Sequence, residues 1–163
     1  MQCPFRFKIY IKEKPVRLNT KGKENNMNLL FLLHPKSMVA YLVSDCTARQ
    51  GLEKMRAHGY TAIPVINPAG EYIGTVSEGD FLWALVDDKE CSLKKLEKIK
   101  LTDIMRGVRD SAVTVDTKMD DLLLKIMEQN FVPVTDDRNI FIGIVTRKDI
   151  IKHFYEKEKK ADE

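Results

Sequence analysis

Cysteine is scarce in this chain of 163 residues, which contains only Cys3, Cys46 and Cys91. The three lie far apart and form no CxxC pair or Cys/His cluster, so the sequence argues against a disulfide framework and against a zinc site. Cys46 precedes a predicted helix, where a thiol can become reactive. A packed or partly exposed, unreactive side chain is the favoured interpretation.

Long apolar runs are also missing. The longest, LLFLL at residues 29–33, is far too short to span a bilayer. It lies deep in the chain for the core of a signal peptide, and no small-residue cleavage site follows it. We therefore expect a cytoplasmic protein without a membrane partner.

The positive net charge of +3 is concentrated at one end of the sequence. Residues 1–26 hold seven basic and two acidic residues, whereas the remainder holds 20 basic and 22 acidic residues. The body is thus nearly neutral, and the pI of 8.7 does not argue for nucleic-acid binding. Residues 1–26 are predicted to be a basic, flexible N-terminal extension, with a partner-binding basic arm as the alternative.

What the sequence does contain is an internal repeat. The stretch GYTAIPVINPAGEYIGTVSEGD, residues 59–80, is echoed by NFVPVTDDRNIFIGIVTRKD, residues 130–149. Pro64 and Pro133, Gly74 and Gly143, and Asp80 and Asp149 are each 69 residues apart. A fixed offset of this kind indicates two copies of one structural unit.

Each copy predicts the order strand–helix–strand–strand–helix, which indicates an α/β fold. The first copy has strands at 39–43, 63–66 and 71–76, a helix that Thr47 caps, and a helix after residue 76. The second has strands at 113–115, 132–135 and 140–145, with helices at 119–130 and 147–157. The domain prediction is repeat one with its linker at 27–96, repeat two at 97–158 and a charged tail at 159–163. LTDIM, residues 101–105, is expected to pack at the start of repeat two.

Motifs for catalysis are absent from the sequence. His34, His58 and His153 lie near no serine or cysteine nucleophile motif and are interpreted as surface or partly packed residues. No GxSxG, HExxH, GxxxxGK[ST] or GxGxxG pattern occurs. The sequence therefore favours a protein that is not an enzyme, with no metal and no cofactor.

The strand-to-helix junctions GTVSEGD and GIVTRKD share a hydroxyl followed three residues later by an aspartate. This spacing is typical of a capping box at a helix start. The same place suits a nucleotide, because free N–H groups and the helix dipole attract phosphate and a carboxylate can accept both ribose hydroxyls. Two copies at one offset, each behind a PV…IG strand pair, are more specific than one.

These residues resemble the paired cystathionine-β-synthase-type (CBS) domains, in which two β-α-β-β-α repeats pack by pseudo-twofold symmetry into a Bateman module. The resemblance rests on Ile63-Pro64-Val65 and Val132-Pro133-Val134, on the IGxV[ST]xxD junctions and on DIM at 103–105, and it covers roughly residues 29–154. It implies a stand-alone regulatory module that binds adenosine-containing ligands in clefts between the repeats.

The resemblance also assigns ligand-binding positions. Those facing the base in repeat one are Val39, Ala40, Tyr60, Thr61, Ala62, Ile63 and Pro64. The equivalent set in repeat two is Asn130, Phe131, Val132 and Pro133, behind a shorter helix-to-strand loop. Those for ribose and phosphate are Ser77, Asp80, Thr146, Arg147, Lys148 and Asp149. Sequence leaves open which strands share a cleft with which junction.

Two cations at one junction distinguish the predicted clefts. Arg147 and Lys148 follow Thr146, and an arginine can grip phosphate bidentately, so the phosphate end is predicted to favour that cleft. The alternative is a solvated basic helix face. Tyr60 is predicted to stack on adenine, with packing at the core edge as its alternative.

The predicted function is a non-enzymatic sensor that binds AMP, ADP, ATP or cyclic di-AMP and signals occupancy to an unknown regulated protein. Apolar residues on the two junction helices, Phe81, Trp83, Ile150, Ile151 and Phe154, are expected from the resemblance to form a homodimer contact; the alternative is a core face alone. The rival function is an interaction scaffold whose clefts stay empty.

Overall fold

A computed structural model describes residues 28–87, 93–106 and 111–159 of the chain. The predicted N-terminal extension lies outside the described residues, and so does most of the predicted charged tail. Within the described part, the predicted order of strands and helices occurs twice, which confirms the mixed α/β fold.

The first repeat is preceded by a short irregular segment. That segment comprises a 3₁₀ helix at Leu29–Leu32, strand β1 at His34–Pro35 and a 3₁₀ helix at Lys36–Met38. The repeat itself comprises β2 at Leu42–Val43, α1 at Ala48–His58, β3 at Ala62–Ile66, β4 at Tyr72–Ser77 and α2 at Glu78–Val86.

The second repeat follows the same plan after a 3₁₀ helix at Lys95–Glu97 and the short helix α3 at Leu101–Ile104. Its elements are β5 at Val113–Thr114, α4 at Met119–Glu128, β6 at Phe131–Thr135, β7 at Phe141–Thr146 and α5 at Arg147–Lys159.

The strand predicted at residues 39–43 is shorter than expected. Only Leu42 and Val43 pair with β3, in parallel with Val65 and Ile66. The N–H of Val39 instead donates to the carbonyl of Lys36 and closes a 3₁₀ turn. This turn takes the first part of the predicted strand out of the sheet and towards the space between the repeats.

Each repeat builds its own sheet, with strand order β2-β3-β4 in the first and β1-β7-β6-β5 in the second. Strand β1 is the unexpected member, because it precedes repeat one in sequence but pairs antiparallel with β7 of repeat two. His34 lies opposite Ile144 and Pro35 opposite Gly143. The chain segment ahead of the first repeat thus completes the sheet of the second.

The helix ends follow the predicted capping chemistry. The hydroxyl of Thr47 accepts a hydrogen bond from the N–H of Gln50, whose side chain accepts one from the N–H of Thr47. This reciprocal pair satisfies two N–H groups that the first turn of α1 would otherwise leave unbonded. Gly59 ends α1 in the left-handed conformation, with φ of 66°, where a Cβ is disfavoured.

The apolar side chains form two main cores, and each core includes residues from the segment that precedes the other repeat in the sequence. Leu101 and Ile104 of α3 pack in the core of repeat one, with Met55, Ile63 and Phe81. The expectation that LTDIM packs at the start of repeat two is therefore wrong. It assumed that a segment packs with the repeat that follows it in sequence, whereas Leu101 fills the space beside Gly51 of α1.

The converse exchange occurs at the other end of the chain. Leu29 is only 2% exposed and packs in the core of repeat two, with Leu122, Val132 and Ile150. Neither core is thus built from one continuous stretch of sequence. The unit that buries its apolar surface is the pair of repeats.

A pseudo-twofold relationship joins the two sheets at the β3–β4 and β6–β7 turns. The N–H of Tyr72 donates to the carbonyl of Asn139 at 3.0 Å, and the N–H of Phe141 donates to that of Gly70 at 2.9 Å. The donors Tyr72 and Phe141 are 69 residues apart, and so are the acceptors Gly70 and Asn139. The second hydrogen bond is therefore the symmetry equivalent of the first. The rings of Tyr72 and Phe141 stack between them, with centroids 6.4 Å apart.

None of the helices in the described ranges has the length and apolar character needed to cross a membrane.

Candidate functional site

A cavity of about 400 Å³ lies between the two repeats. Its walls come from the 3₁₀ turn and the following residues, from the start of β3, and from the facing ends of β6 and β7. The lining residues are His34, Met38, Val39, Ala40, Gly59, Tyr60, Thr61, Ala62, Pro64, Asn130, Phe131, Ile144 and Thr146.

Nine of the predicted ligand positions line this cavity. They are Val39, Ala40, Tyr60, Thr61, Ala62, Pro64, Asn130, Phe131 and Thr146. Six come from repeat one, whereas the hydroxyl of Thr146 comes from the junction of repeat two. The sequence left the pairing of strands and junctions open, and in this cavity the strands of one repeat meet the junction of the other.

Three of the predicted base-facing residues, Ile63, Val132 and Pro133, do not line this cavity. Ile63 and Val132 have no exposed surface and pack in the cores of their own repeats. The cause is the alternation of a strand, since Ala62 and Pro64 point to the opposite face from Ile63. Pro133 is also buried and lies outside the cavity lining.

The sequence did not assign four of the lining residues: His34, Met38, Gly59 and Ile144. Ile144 could have been found, because it lies two residues from Thr146 on β7 and shares its face. Gly59 directly precedes the predicted Tyr60. No local pattern marks His34, which reaches the cavity only because β1 pairs with β7.

Asp149 does not line the cavity, but its carboxylate contacts two residues that do, His34 and Thr146. Its Oδ2 atom is 2.6 Å from Nε2 of His34 and also accepts a hydrogen bond from the hydroxyl of Thr146. The backbone N–H of Asp149 donates to Thr146 Oγ1 at 3.2 Å, which completes a cap at the start of α5. Partial burial raises the pKa of this carboxyl, but the hydrogen bonds from Thr146 and His34, with the charges of His34 and Lys148, lower the pKa overall.

The equivalent aspartate of repeat one has a different environment. Asp80 is only 2% exposed, and its Oδ2 accepts hydrogen bonds from the N–H and the hydroxyl of Ser77 at 2.8 and 2.7 Å. Ser77 and Asp80 thus form the expected cap of α2, and neither lines the cavity. Of the two junction carboxylates, only that of Asp149 has substantial exposed surface, at 30% of its side chain.

The two junction cations are not equivalent. The guanidinium of Arg147 donates to the carbonyls of Ile126 and Gln129 through Nε, at 2.9 and 3.0 Å, and to that of Met127 through Nη2. Arg147 therefore caps the C-terminal end of α4, where the helix dipole favours a cation. Lys148 is exposed. Neither side chain lines the cavity, so the phosphate role predicted for them remains a prediction.

Tyr60 lies at the mouth of the cavity and is 44% exposed. Its ring stacks on that of His58, with centroids 5.4 Å apart and planes inclined by 13°. An exposed aromatic face next to an apolar cavity suits a planar base.

Cys46 is partly buried against the core of repeat one, and burial raises the pKa of its thiol. A raised pKa disfavours the nucleophilic thiolate, in agreement with the interpretation of a packed, unreactive residue. Across residues 28–87, 93–106 and 111–159, no three His, Cys, Asp or Glu side chains are arranged to hold a metal ion.

Comparison with known proteins agrees with this geometry. The family model described as "CBS domain" matches residues 35–87 and 101–156. The L-aspartate semialdehyde sulfurtransferase of Methanocaldococcus jannaschii is 26% identical over 148 residues, which are 85% of this chain but only 26% of that protein. The chain thus spans about a quarter of that relative's length.

Two solved structures have the same fold. CbpB in complex with c-di-AMP superposes with a TM-score of 0.75 at 23% identity, covering 83% of this chain and 90% of that one. CBSX2 in complex with AMP superposes with a TM-score of 0.65 at 22% identity, covering 80% and 98%. The repeat, the two sheets and these matches lead to one conclusion: the chain belongs to the CBS domain family, with a pair of CBS domains at residues 35–87 and 101–156.

Proposed function

We propose that the chain is a non-enzymatic cytoplasmic sensor that binds an adenine nucleotide in the cavity between its repeats. The observation that carries this proposal is the composition of the cavity wall. Residues 39–40 and 60–62 of one repeat face Asn130, Phe131 and Thr146 of the other across about 400 Å³. This volume lies within the range of small-molecule sites, which is roughly 300–1,000 Å³.

The chemistry of the wall suits an adenosine group. Val39, Ala40 and Ala62 offer small apolar surfaces against which a base can lie, and Tyr60 offers an aromatic face at the mouth. Thr146 supplies a hydroxyl, and Asp149 beside it supplies a carboxylate that can accept hydrogen bonds from a ribose. The ligands of CbpB and CBSX2, c-di-AMP and AMP, are both adenine nucleotides and support this class of ligand.

The signal is proposed to be a shift between conformations of the pair. Because both repeats supply walls of the cavity, a bound ligand contacts both and favours arrangements in which both can touch it. Of the residues expected in a homodimer contact, Phe81 and Ile150 are instead buried in the cores of their own repeats, because each junction helix turns one apolar stripe inward. The outward faces of α2 and α5 carry the expected Trp83 and Ile151 together with three further exposed apolar side chains, Leu82, Val86 and Tyr155. We propose that these faces form a homodimer contact through which occupancy reaches the regulated protein.

Thermal unfolding with a nucleotide panel tests the proposed binding. A ligand at a hundred times its dissociation constant stabilises the fold by about 2.7 kcal/mol, which raises the midpoint by roughly 5–10 °C for a chain of this size. We expect this shift with at least one of AMP, ADP, ATP and cyclic di-AMP, and none with its guanine analogue.

A matched pair of variants locates the binding. Ala62→Leu places added volume in the cavity and is expected to abolish the shift, whereas Ala57→Leu makes the same change on an exposed face of α1 and should leave it intact. No shift with any nucleotide would favour the rival function, a scaffold with empty clefts. A shift that Ala62→Leu leaves unchanged would place the ligand elsewhere.

A further inference from the structure

We propose that His34 is a specificity-determining residue of the cavity, one that favours an anionic nucleotide over an uncharged nucleoside and does so more strongly when its imidazole is protonated. This inference rests on the proposed function. It concerns a residue outside the repeated motif, and its basis is the position, the hydrogen bonding and the charge of that residue.

The position of His34 is fixed by the backbone. His34 pairs with Ile144 in the antiparallel β1–β7 ladder. The neighbouring Gly143 makes this approach possible, because a Cβ there would collide with the carbonyl oxygen of His34 and lie 3.0 Å from its carbonyl carbon. The imidazole is therefore held at the cavity wall by a strand pair and not by a flexible loop.

The hydrogen bonding of the ring gives its two nitrogens different roles. Nε2 is 2.6 Å from Oδ2 of Asp149. Because an ionised carboxylate can only accept, we assign the hydrogen of this contact to Nε2. In neutral imidazole the other nitrogen, Nδ1, is then an acceptor only. In the imidazolium both nitrogens donate. Only the protonated ring can therefore hold Asp149 and also offer an N–H to a phosphate oxygen.

Protonation of His34 would change the net charge of the cavity wall. Of the lining residues, only His34 and Tyr60 have titratable side chains. The ionised Asp149 contacts His34 from α5, and without a cation beside it would repel a phosphate. Three ionisable side chains lie near this wall without lining it. Lys148 on α5 acts on Asp149, Arg147 donates to carbonyls of α4, and the imidazole of His58 on α1 stacks on Tyr60. A proton on His34 offsets the charge of Asp149 within the wall itself.

The test measures affinity as a function of pH with ligands whose own charge is constant. Histidine gains its proton as the pH falls through about 6.5, but a phosphate monoester such as AMP also titrates, near about pH 6. Suitable probes are therefore two phosphodiesters, AMP methyl ester and cyclic di-AMP, with uncharged adenosine for comparison. Titration calorimetry from about pH 8 to 5.5 brackets the histidine range.

We expect the affinity of the wild-type protein for a diester to rise roughly fivefold as the pH falls over this range, while the affinity for adenosine stays constant. The factor corresponds to the attraction between two unit charges about 4 Å apart at the dielectric constant of water. His34→Gln keeps a side-chain N–H but never gains a charge, so its profile should be flat. His58→Gln, which removes the other histidine near the mouth, should behave like wild type.

Each alternative result has a distinct meaning. Binding of a diester with a flat wild-type profile, or an unchanged rise in His34→Gln, would overturn the role of His34 and leave the proposed function standing. A rise that His58→Gln removes would assign the effect to that histidine and likewise overturn it. Failure of every adenine probe to bind at any pH would overturn both proposals.

Discussion

The imidazole Nε2 of His34 and the Oδ2 atom of Asp149 lie 2.6 Å apart, although 115 residues separate them in the chain. One residue precedes the first repeat and the other lies in the last helix of the second. Their contact joins a residue of the cavity lining to the junction carboxylate of the second repeat. It also connects the more exposed of the two junction carboxylates with an imidazole, a group that can carry a positive charge.

The lowered pKa of Asp149 predicts a contribution to stability that is lost at low pH. A carboxyl whose folded pKa is below its ordinary value of 3.8 stabilises the native state above that value, and the contribution is lost as the pH falls through the folded pKa. Asp149→Asn should therefore show a smaller loss of unfolding free energy between about pH 5 and 3 than wild type. Urea unfolding across this range, with Asp137→Asn as an exposed control, measures it. Identical pH dependence in wild type and Asp149→Asn would contradict the prediction.

Arg147 is predicted to act mainly on stability. Its guanidinium bonds carbonyls at the end of α4, and Arg147→Ala removes those bonds, so a loss of about 1–3 kcal/mol is expected in urea unfolding. Lys148→Ala removes an exposed neighbouring charge and should change stability by less than about 0.5 kcal/mol. If Arg147→Ala instead weakened nucleotide binding at full stability, Arg147 would be a phosphate ligand and not a helix cap.

The backbone of His34 lies so close to Gly143 that adding one methyl group there is expected to destabilise the fold strongly. Gly143→Ala would place Cβ against the backbone of His34, which cannot rotate away as a side chain can. We expect a loss of about 1–3 kcal/mol or more, with displacement of β1 from the sheet. Gly79→Ala meets its nearest atom at an ordinary 3.6 Å and serves as the control. Equal stability of the two variants would show that β1 moves freely.

Tyr60 is predicted to contribute to affinity and little to stability. Loss of base stacking in Tyr60→Ala should weaken nucleotide binding by about 1–3 kcal/mol, measured by calorimetry. Phe31→Ala removes an aromatic ring that is 83% exposed, outside the cavity lining and on neither junction helix, and should bind as wild type does. An affinity unaffected by Tyr60→Ala would leave the ring as a packing partner of His58.

The proposed dimer face can be tested at Trp83, which is 46% exposed on α2. Trp83→Glu places a charge in the proposed apolar contact and is expected to shift the protein from dimer to monomer in sedimentation velocity. Phe31→Glu changes a residue that is 83% exposed but lies on neither junction helix, so that variant should remain dimeric. Dissociation by Phe31→Glu alone would place the contact on another face.

Much of the fold was predictable, because each core helix and strand carries its own local signal. Thr47 marks the start of α1, and the short apolar runs around Pro64 and Pro133 mark β3 and β6. The 69-residue offset predicted a symmetric pair of repeats, and the symmetry-related backbone hydrogen bonds donated by Tyr72 and Phe141 follow that offset.

What the sequence did not predict depends on contacts between distant segments. Strand β1 is only two residues long and contains a proline, so its pairing with β7 leaves no periodic pattern. The packing of Leu101 in the first core and the capping of α4 by Arg147 likewise depend on which surfaces meet. His34 was interpreted as a surface or partly packed residue for the same reason, since its partner lies 115 positions away.

The pairing of β1 with β7 also reduces the unpaired edge of the second sheet. An unpaired strand edge presents a row of N–H and C=O groups that can recruit a second chain, and evolution commonly blocks such edges with short strands and proline. Here His34–Pro35 covers β7 with a two-residue strand that itself ends in proline and offers little template for further pairing. A chain shortened to begin after Pro35 would lose this protection of the β7 edge. Pairing of β7 with another molecule would then compete with native folding.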